Sequence, residues 1–173
     1  AAISNGSQSD WWSGGYLENF LIDQTSTIPW YRAFLDFAVE PLSAGVSVFV
    51  IAVEVAVGFA LLLNYRPLVA LAVGSVLNLN FMLAGAVNPS AFYMVIAGAM
   101  LLWHIDSGVP MARKQVVFRW SAIAAVGSLV LLGPFVREIA PMHVIEDTAM
   151  VLIFVAVLFA GSMWWMLQHP VRE

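Results

Sequence analysis

The stretch PLSAGVSVFVIAVEVAVGFALLL, Pro41 to Leu63, decides the class of fold. It carries one charged residue, Glu54, and is otherwise built from apolar residues, glycine and serine, with Pro41 at its head. A membrane-crossing helix needs about 20 consecutive, mostly apolar residues, and this stretch supplies them. In water such a helix has no polar face to present, whereas in lipid it needs none. Four more apolar segments follow: Pro67 to Val87, Pro89 to Ile105, Trp120 to Val136 and Thr148 to Leu167. Pro89–Ile105 and Trp120–Val136 sit at the short edge of the spanning range. The expectation is an all-α, polytopic membrane helical bundle of about five transmembrane helices.

Composition agrees. The chain is 61% hydrophobic and 10% charged, with a mean hydropathy of +0.86. Soluble domains average about 45–50% apolar and about 25% charged residues. A formal net charge of −4 offers no basic footprint for nucleic acid. The chain has no cysteine, which excludes disulfides, thiol relays and cysteine-held clusters. His104, His143 and His169 lack metal-ligand spacing, so no metal or haem site is expected.

Upstream of Pro41 the chain is polar. Residues 1–40 read as an extracytoplasmic segment, with 1–28 as loop and 29–39 as a short interfacial amphipathic helix. Trp30, Phe34 and Phe37 fall at i, i+4 and i+7, on one face. Arg32 and Asp36 can pair four residues apart, and Pro29 suits a first helical turn. The aromatic face dips into lipid or packs on neighbouring protein, since both need the same pattern. Trp11, Trp12, Trp30 and Tyr31 gather here, to roof the bundle, meet a partner or mark the interface. The chain opens Ala1-Ala2 without an initiator Met, so a processed or additional N-terminal segment is expected.

The links are short. Asn64-Tyr65-Arg66-Pro67 makes the first two segments antiparallel neighbours. Asn88 is the expected N-cap of the third segment, before Pro89. Residues 106–119 read as a longer polar loop on the cytoplasmic side, with 120–173 forming two further spans and a tail. With the N-terminus outside, Arg66, Arg113, Lys114, Arg119 and Arg172 collect inside and only Arg32 and Arg137 remain outside. Five of the 7 basic residues then share one side, which selects N-out and C-in. Arg66 is read as a topology anchor. Glu146 and Asp147 precede the last span, where carboxylates favour the positive helix end. Trp164 and Trp165 suit an interfacial belt.

Glu54 is the residue to explain. A charge at mid-bilayer costs about 2.5–3.5 kcal/mol on insertion scales, so it faces the bundle interior, takes a partner or holds a proton. Ser47, Glu54 and Gly58 share one face, and Gly58 would admit a close helix. Asn78 and Asn80 point about 200° apart, so only one can meet Glu54. The stripe Gly74, Asn78, Phe81, Gly85 makes Asn78 the preferred partner and leaves Asn80 to another neighbour. Glu54, Asn78 and Asn80 thus form either a quinone or proton site or an interhelical polar clasp.

The pattern Glu54-Val-Ala-Val-Gly58, Arg66, Asn78-Leu-Asn80-Phe-Met-Leu-Ala-Gly85 and Asn88-Pro89 resembles the DoxX/DoxD family of small prokaryotic membrane proteins. The resemblance covers about Pro29 to Ile105. It implies a four-helix bundle in the cytoplasmic membrane, similar to the small subunit of thiosulfate:quinone oxidoreductase. The family's first transmembrane helix has no counterpart here, and the last two segments are additions to its pattern.

Three functions fit. The first is an accessory, mainly structural subunit of a respiratory or photosynthetic redox complex, among other membrane subunits and the lipid bilayer. The second is a quinone-interacting subunit, with Glu54 and Asn78 at a lipid-accessible pocket. The third is a small transporter, disfavoured because no inverted repeat is visible and one mid-span charge is few. No covalently bound cofactor is expected; quinone, lipid or pigment are the expected ligands.

Overall fold

The computed structural model describes residues 9–23, 28–137, 139 and 147–169. The expectations for His143, Glu146 and Arg172 lie outside them. All described elements are helical. Four helices are long and apolar enough to cross a membrane: Pro29–Leu62, Ser90–Gly108, Met111–Phe135 and Thr148–Gln168. The expected segment at Pro67 forms a shorter helix that ends at Leu83. The chain forms two compact units, Ala1–Ala86 and Val87–Glu173.

In the first unit, α1 (Ser9–Ser13) and α2 (Gly15–Asp23) replace the polar loop expected there. Asp10 and Glu18 lie in their first turns, where a carboxylate is favoured by the exposed N–H groups. Gly14 joins them at φ +83, a left-handed conformation that reverses the chain in one residue.

Helix α3 (Pro29–Phe34) begins with Pro29 in its first turn, as expected. It is not a separate short helix. A wide π turn at Leu35–Val39 and a tight 3-10 turn at Glu40–Leu42 carry it into α4 (Ser43–Leu62). Pro41 explains the change of pitch: it has no N–H to donate and its ring crowds the carbonyl one turn back. Arg32 Nε donates to Asp36 Oδ1 at 2.7 Å, the expected i, i+4 pair. Ile28, Tyr31 and Leu35 turn inward, while Trp30, Phe34 and Phe37 remain exposed.

Helix α4 ends in a Schellman turn. Asn64 adopts φ 51, its N–H reaches Leu61 O, and Tyr65 N–H reaches Ala60 O. Helix α5 (Pro67–Leu83) starts immediately and ends the same way. Gly85 sits at φ 104, with Gly85 N–H on Met82 O and Ala86 N–H on Phe81 O. Gly85 was expected in a packing stripe; its role is this stop, and it is why α5 falls short of Val87. The two helices pack through Val46, Val50 and Ile51 against Leu77 and Phe81. Gly74, not Gly58, is the close-approach glycine. A Cβ on Gly74 would stand 3.4 Å from Val57 Cγ1, whereas one on Gly58 would meet nothing within 4 Å.

The second unit contains α6 (Val87–Gly108), α7 (Met111–Leu132), a 3-10 turn at Gly133–Phe135, and α8 (Thr148–Gln168). Helix α6 starts at Val87, so Asn88 is inside its first turn and is not the N-cap. Residues 106–119 are not a loop: the break is Val109-Pro110 alone. Pro110 is extended and its carbonyl accepts from Arg113 N and Lys114 N, which launches α7. The charges that looked like a loop therefore ride on a helix. Asp147 caps α8, accepting from Met150 N at 2.8 Å and from Arg137 N at 2.6 Å. Helices α6 and α7 both pack on α8, and they scarcely touch each other. Accordingly α8 buries Ala149, Val151, Leu152, Ile153, Ala160 and Met163.

A polar seam between α4 and α5

Val57 against Gly74, and the Val50–Ile51 pair against Leu77 and Phe81, form the contact of α4 with α5. No hydrogen bond joins Asn78 to Glu54. Asn78 Nδ2 donates to Gly74 O at 2.9 Å, one turn back in its own helix. Glu54 Oε2 is buried and has no hydrogen-bond partner among the described residues. The expected Glu54–Asn78 clasp is thus corrected: an amide in a helix can satisfy itself on the i−4 carbonyl, and here it does.

Asn80 finds the separate neighbour that its direction required. Tyr31 Oη donates to Asn80 Oδ1 at 2.6 Å, while Asn80 Nδ2 donates to Val76 O at 2.7 Å. Ile28 N donates to Leu83 O at 3.3 Å, so α3 is tied to the end of α5 by backbone and side chain together. Tyr31 is therefore an internal fastener and not an exposed partner contact. Removing a hydroxyl that satisfies a half-buried acceptor typically costs about 1–3 kcal/mol. Tyr31→Phe is expected to lower unfolding free energy by about 1–2 kcal/mol, read by denaturant titration in detergent micelles. An unchanged midpoint would show that Asn80 does not need this donor.

The remaining aromatic candidates differ from Tyr31. Trp12 and Trp30 are each 51% exposed, and Trp30 stands edge-on to Tyr31 with ring centroids 5.7 Å apart. The side chain of Trp11 lies outside the described set. Arg66 is exposed at the α4–α5 turn with φ 46, and its guanidinium carbon lies 5.5 Å from the Tyr65 ring centroid. His104 and His169 each contact the carbonyl one turn back, Met100 O and Trp165 O. Among the described residues no group of three or more His, Asp or Glu is placed to hold a metal ion.

Two polar contacts escaped the sequence reading. At the head of α4, Ser43 Oγ donates to Glu18 Oε1 at 2.7 Å, which places a carboxylate near that helix's N-terminus. At the Val109-Pro110 corner, buried Lys114 Nζ donates to Asp106 O at 2.8 Å and to Asp106 Oδ1 at 3.1 Å. Their only sequence signals were Gly14-Gly15 after Asp10 and an acid and a base flanking Pro110. Compared with models of known protein families, with curated proteins and with solved structures, the chain matches none.

Proposed function

We propose that this chain is an accessory, mainly structural subunit of a larger redox assembly in a prokaryotic cytoplasmic membrane. It crosses the bilayer five times, with α5 as the short span, its N-terminus outside and its C-terminus in the cytoplasm. The observation that carries the subunit reading is how little of its apolar helices the chain covers for itself. The four spanning windows bury between 11% and 28% of their residues. Helices of a self-contained bundle bury a broad stripe against each other, and α6, at 11%, does not. Other membrane subunits are the partners that would cover α6 on more than one side. The resemblance of the Glu54-to-Pro89 pattern to DoxX/DoxD proteins supports the redox context.

The test is purification in a mild detergent with mass measurement of the intact particle. Fixed stoichiometric membrane partners, whose removal lowers the chain's thermal stability, are expected. A monodisperse lone chain of unchanged stability would end the proposal. A second reading, a quinone-contacting site, is favoured by Glu54 Oε2, since a quinol hydroxyl is a donor for a buried acceptor that has none. Glu54→Gln is expected to lower quinone-dependent turnover of the purified assembly at least about tenfold, the scale of losing one proton acceptor. Equal turnover would remove Glu54 from any such role.

A further inference from the structure

Two cations of this chain hold a carboxylate: Arg32 on Asp36, and buried Lys114 on Asp106. Arg113 and Arg119 do not. Both are exposed, and neither side chain has a hydrogen bond, ion pair or ring partner among the described residues. Packing sets their place on α7. Lys114, Ala125 and Leu132 are buried and fall within about 20° of one line at 100° per residue, the line turned to α8. Val116 and Ile123 point the opposite way, and Arg119 and Arg113 flank that outward direction by about 50° and 70°. In line with Arg119, at steps of four, seven and eleven, come exposed Ile123, Val126 and Val130.

The depth of Arg119 follows from the sequence. Between Arg119 and Arg137 run 17 uncharged residues, about 25 Å of helix. A bilayer's hydrocarbon is about 30 Å thick. The Arg119 guanidinium therefore stands at the hydrocarbon edge, where a cation pairs with an anion or reaches out to one. Its side chain leans toward the helix N-terminus, the nearer membrane face. Exposed tryptophans mark the same level. Asp147 ties the head of α8 to Arg137 N; Trp164 lies 16 residues on from Thr148, as Arg119 lies 16 back from Phe135. Trp120 and Trp164 both face outward there, as headgroup-level tryptophans do.

We propose that the outer face of α7 binds an anionic phospholipid, its phosphate held by Arg119 and Arg113 and an acyl chain laid along Ile123, Val126 and Val130. A guanidinium offers paired N–H groups that match two phosphate oxygens. The apolar stripe continues from the charges in the order in which acyl chain follows headgroup. A zwitterionic lipid fits less well, because its own ammonium offsets its phosphate. The inference rests on α7 lying in a membrane and not on the subunit reading, which the bare face of α6 carries.

The experiment is mass measurement of the intact full chain in detergent micelles, titrated with phosphatidylglycerol or phosphatidylcholine of matched acyl chains. The native chain is expected to retain one phosphatidylglycerol with an affinity roughly tenfold or more above that for phosphatidylcholine. Arg113→Gln combined with Arg119→Gln is expected to bring the two lipids within about twofold, and either change alone to remove roughly fivefold. The single variants decide if the double variant does not fold. Arg66→Gln, at an exposed arginine of the first unit, is expected to leave the preference unchanged, and inorganic phosphate not to displace the lipid. Equal retention of the two lipids by the native chain, an unchanged preference without Arg113 and Arg119, an equal loss in Arg66→Gln, or displacement by inorganic phosphate would each overturn the site.

Discussion

Gly14→Ala will release the N-terminal hairpin from α4. A Cβ at this position would stand 2.5 Å from Ala44 N, 2.6 Å from Ser43 Oγ and 2.8 Å from Ser43 C. Two of those three atoms are backbone and have no rotamer to escape into. The residue is also at φ +83, which costs an L side chain about 1–2 kcal/mol before any contact is counted. Overpacking adds about 1–3 kcal/mol, so the hairpin is expected to lose roughly 2–5 kcal/mol of docking free energy. The Ser43–Glu18 hydrogen bond breaks with it, because α2 follows Gly14 directly. Limited proteolysis reads the effect as rapid cleavage within residues 9–23, with the apolar helices protected. A cleavage rate equal to that of the native protein would show that the hairpin does not lean on α4.

The second large effect is expected at the α6–α7 corner. Lys114→Met removes a buried ammonium that holds both the backbone and the side chain of Asp106. Breaking a fully buried ion pair from one side costs about 3–5 kcal/mol. Asp106 is one-third exposed, its side chain at 33%, so solvent recovers part of that and about 2–3 kcal/mol is expected. Asp106→Asn should cost less, because the Asp106 carbonyl still accepts from Lys114. Asp106→Leu combined with Lys114→Met should recover most of the loss, since an apolar pair carries no desolvation penalty. Denaturant titration in mixed micelles measures all three. A Lys114→Met midpoint matching native would mean that the pair does not support the corner.

The sequence revealed those features that depend on local rules. Pro29 in a first turn, the Arg32–Asp36 pair and a carboxylate, Asp147, at the head of the last span each follow from residue type and a spacing of four or fewer. Glu54 stood out because charge is rare in apolar helices. Its surroundings were less legible. Helical phase made Asn78 the candidate partner, but the choice between Glu54 and the Gly74 carbonyl is a competition that spacing cannot decide. Asn80 is claimed by Tyr31 from 49 residues away, through the docking of α3 on α5. The α1–α2 hairpin was missed because short polar helices carry no apolar period. At the start of α7 the charge density of residues 106–119 hides the signal of Pro110, the residue that launches the helix.

The order of helices in the second unit also sets the order in which it can be assembled. During synthesis α6 and α7 leave the ribosome before α8, yet beyond the Lys114–Asp106 corner they have little surface to offer one another. Their common partner arrives third. Until Thr148–Gln168 has been made, two apolar helices wait beside each other with most of their packing deferred, held at one corner by a lysine. This half of the protein is therefore expected to close in a single late step, templated by its last helix rather than grown from its first.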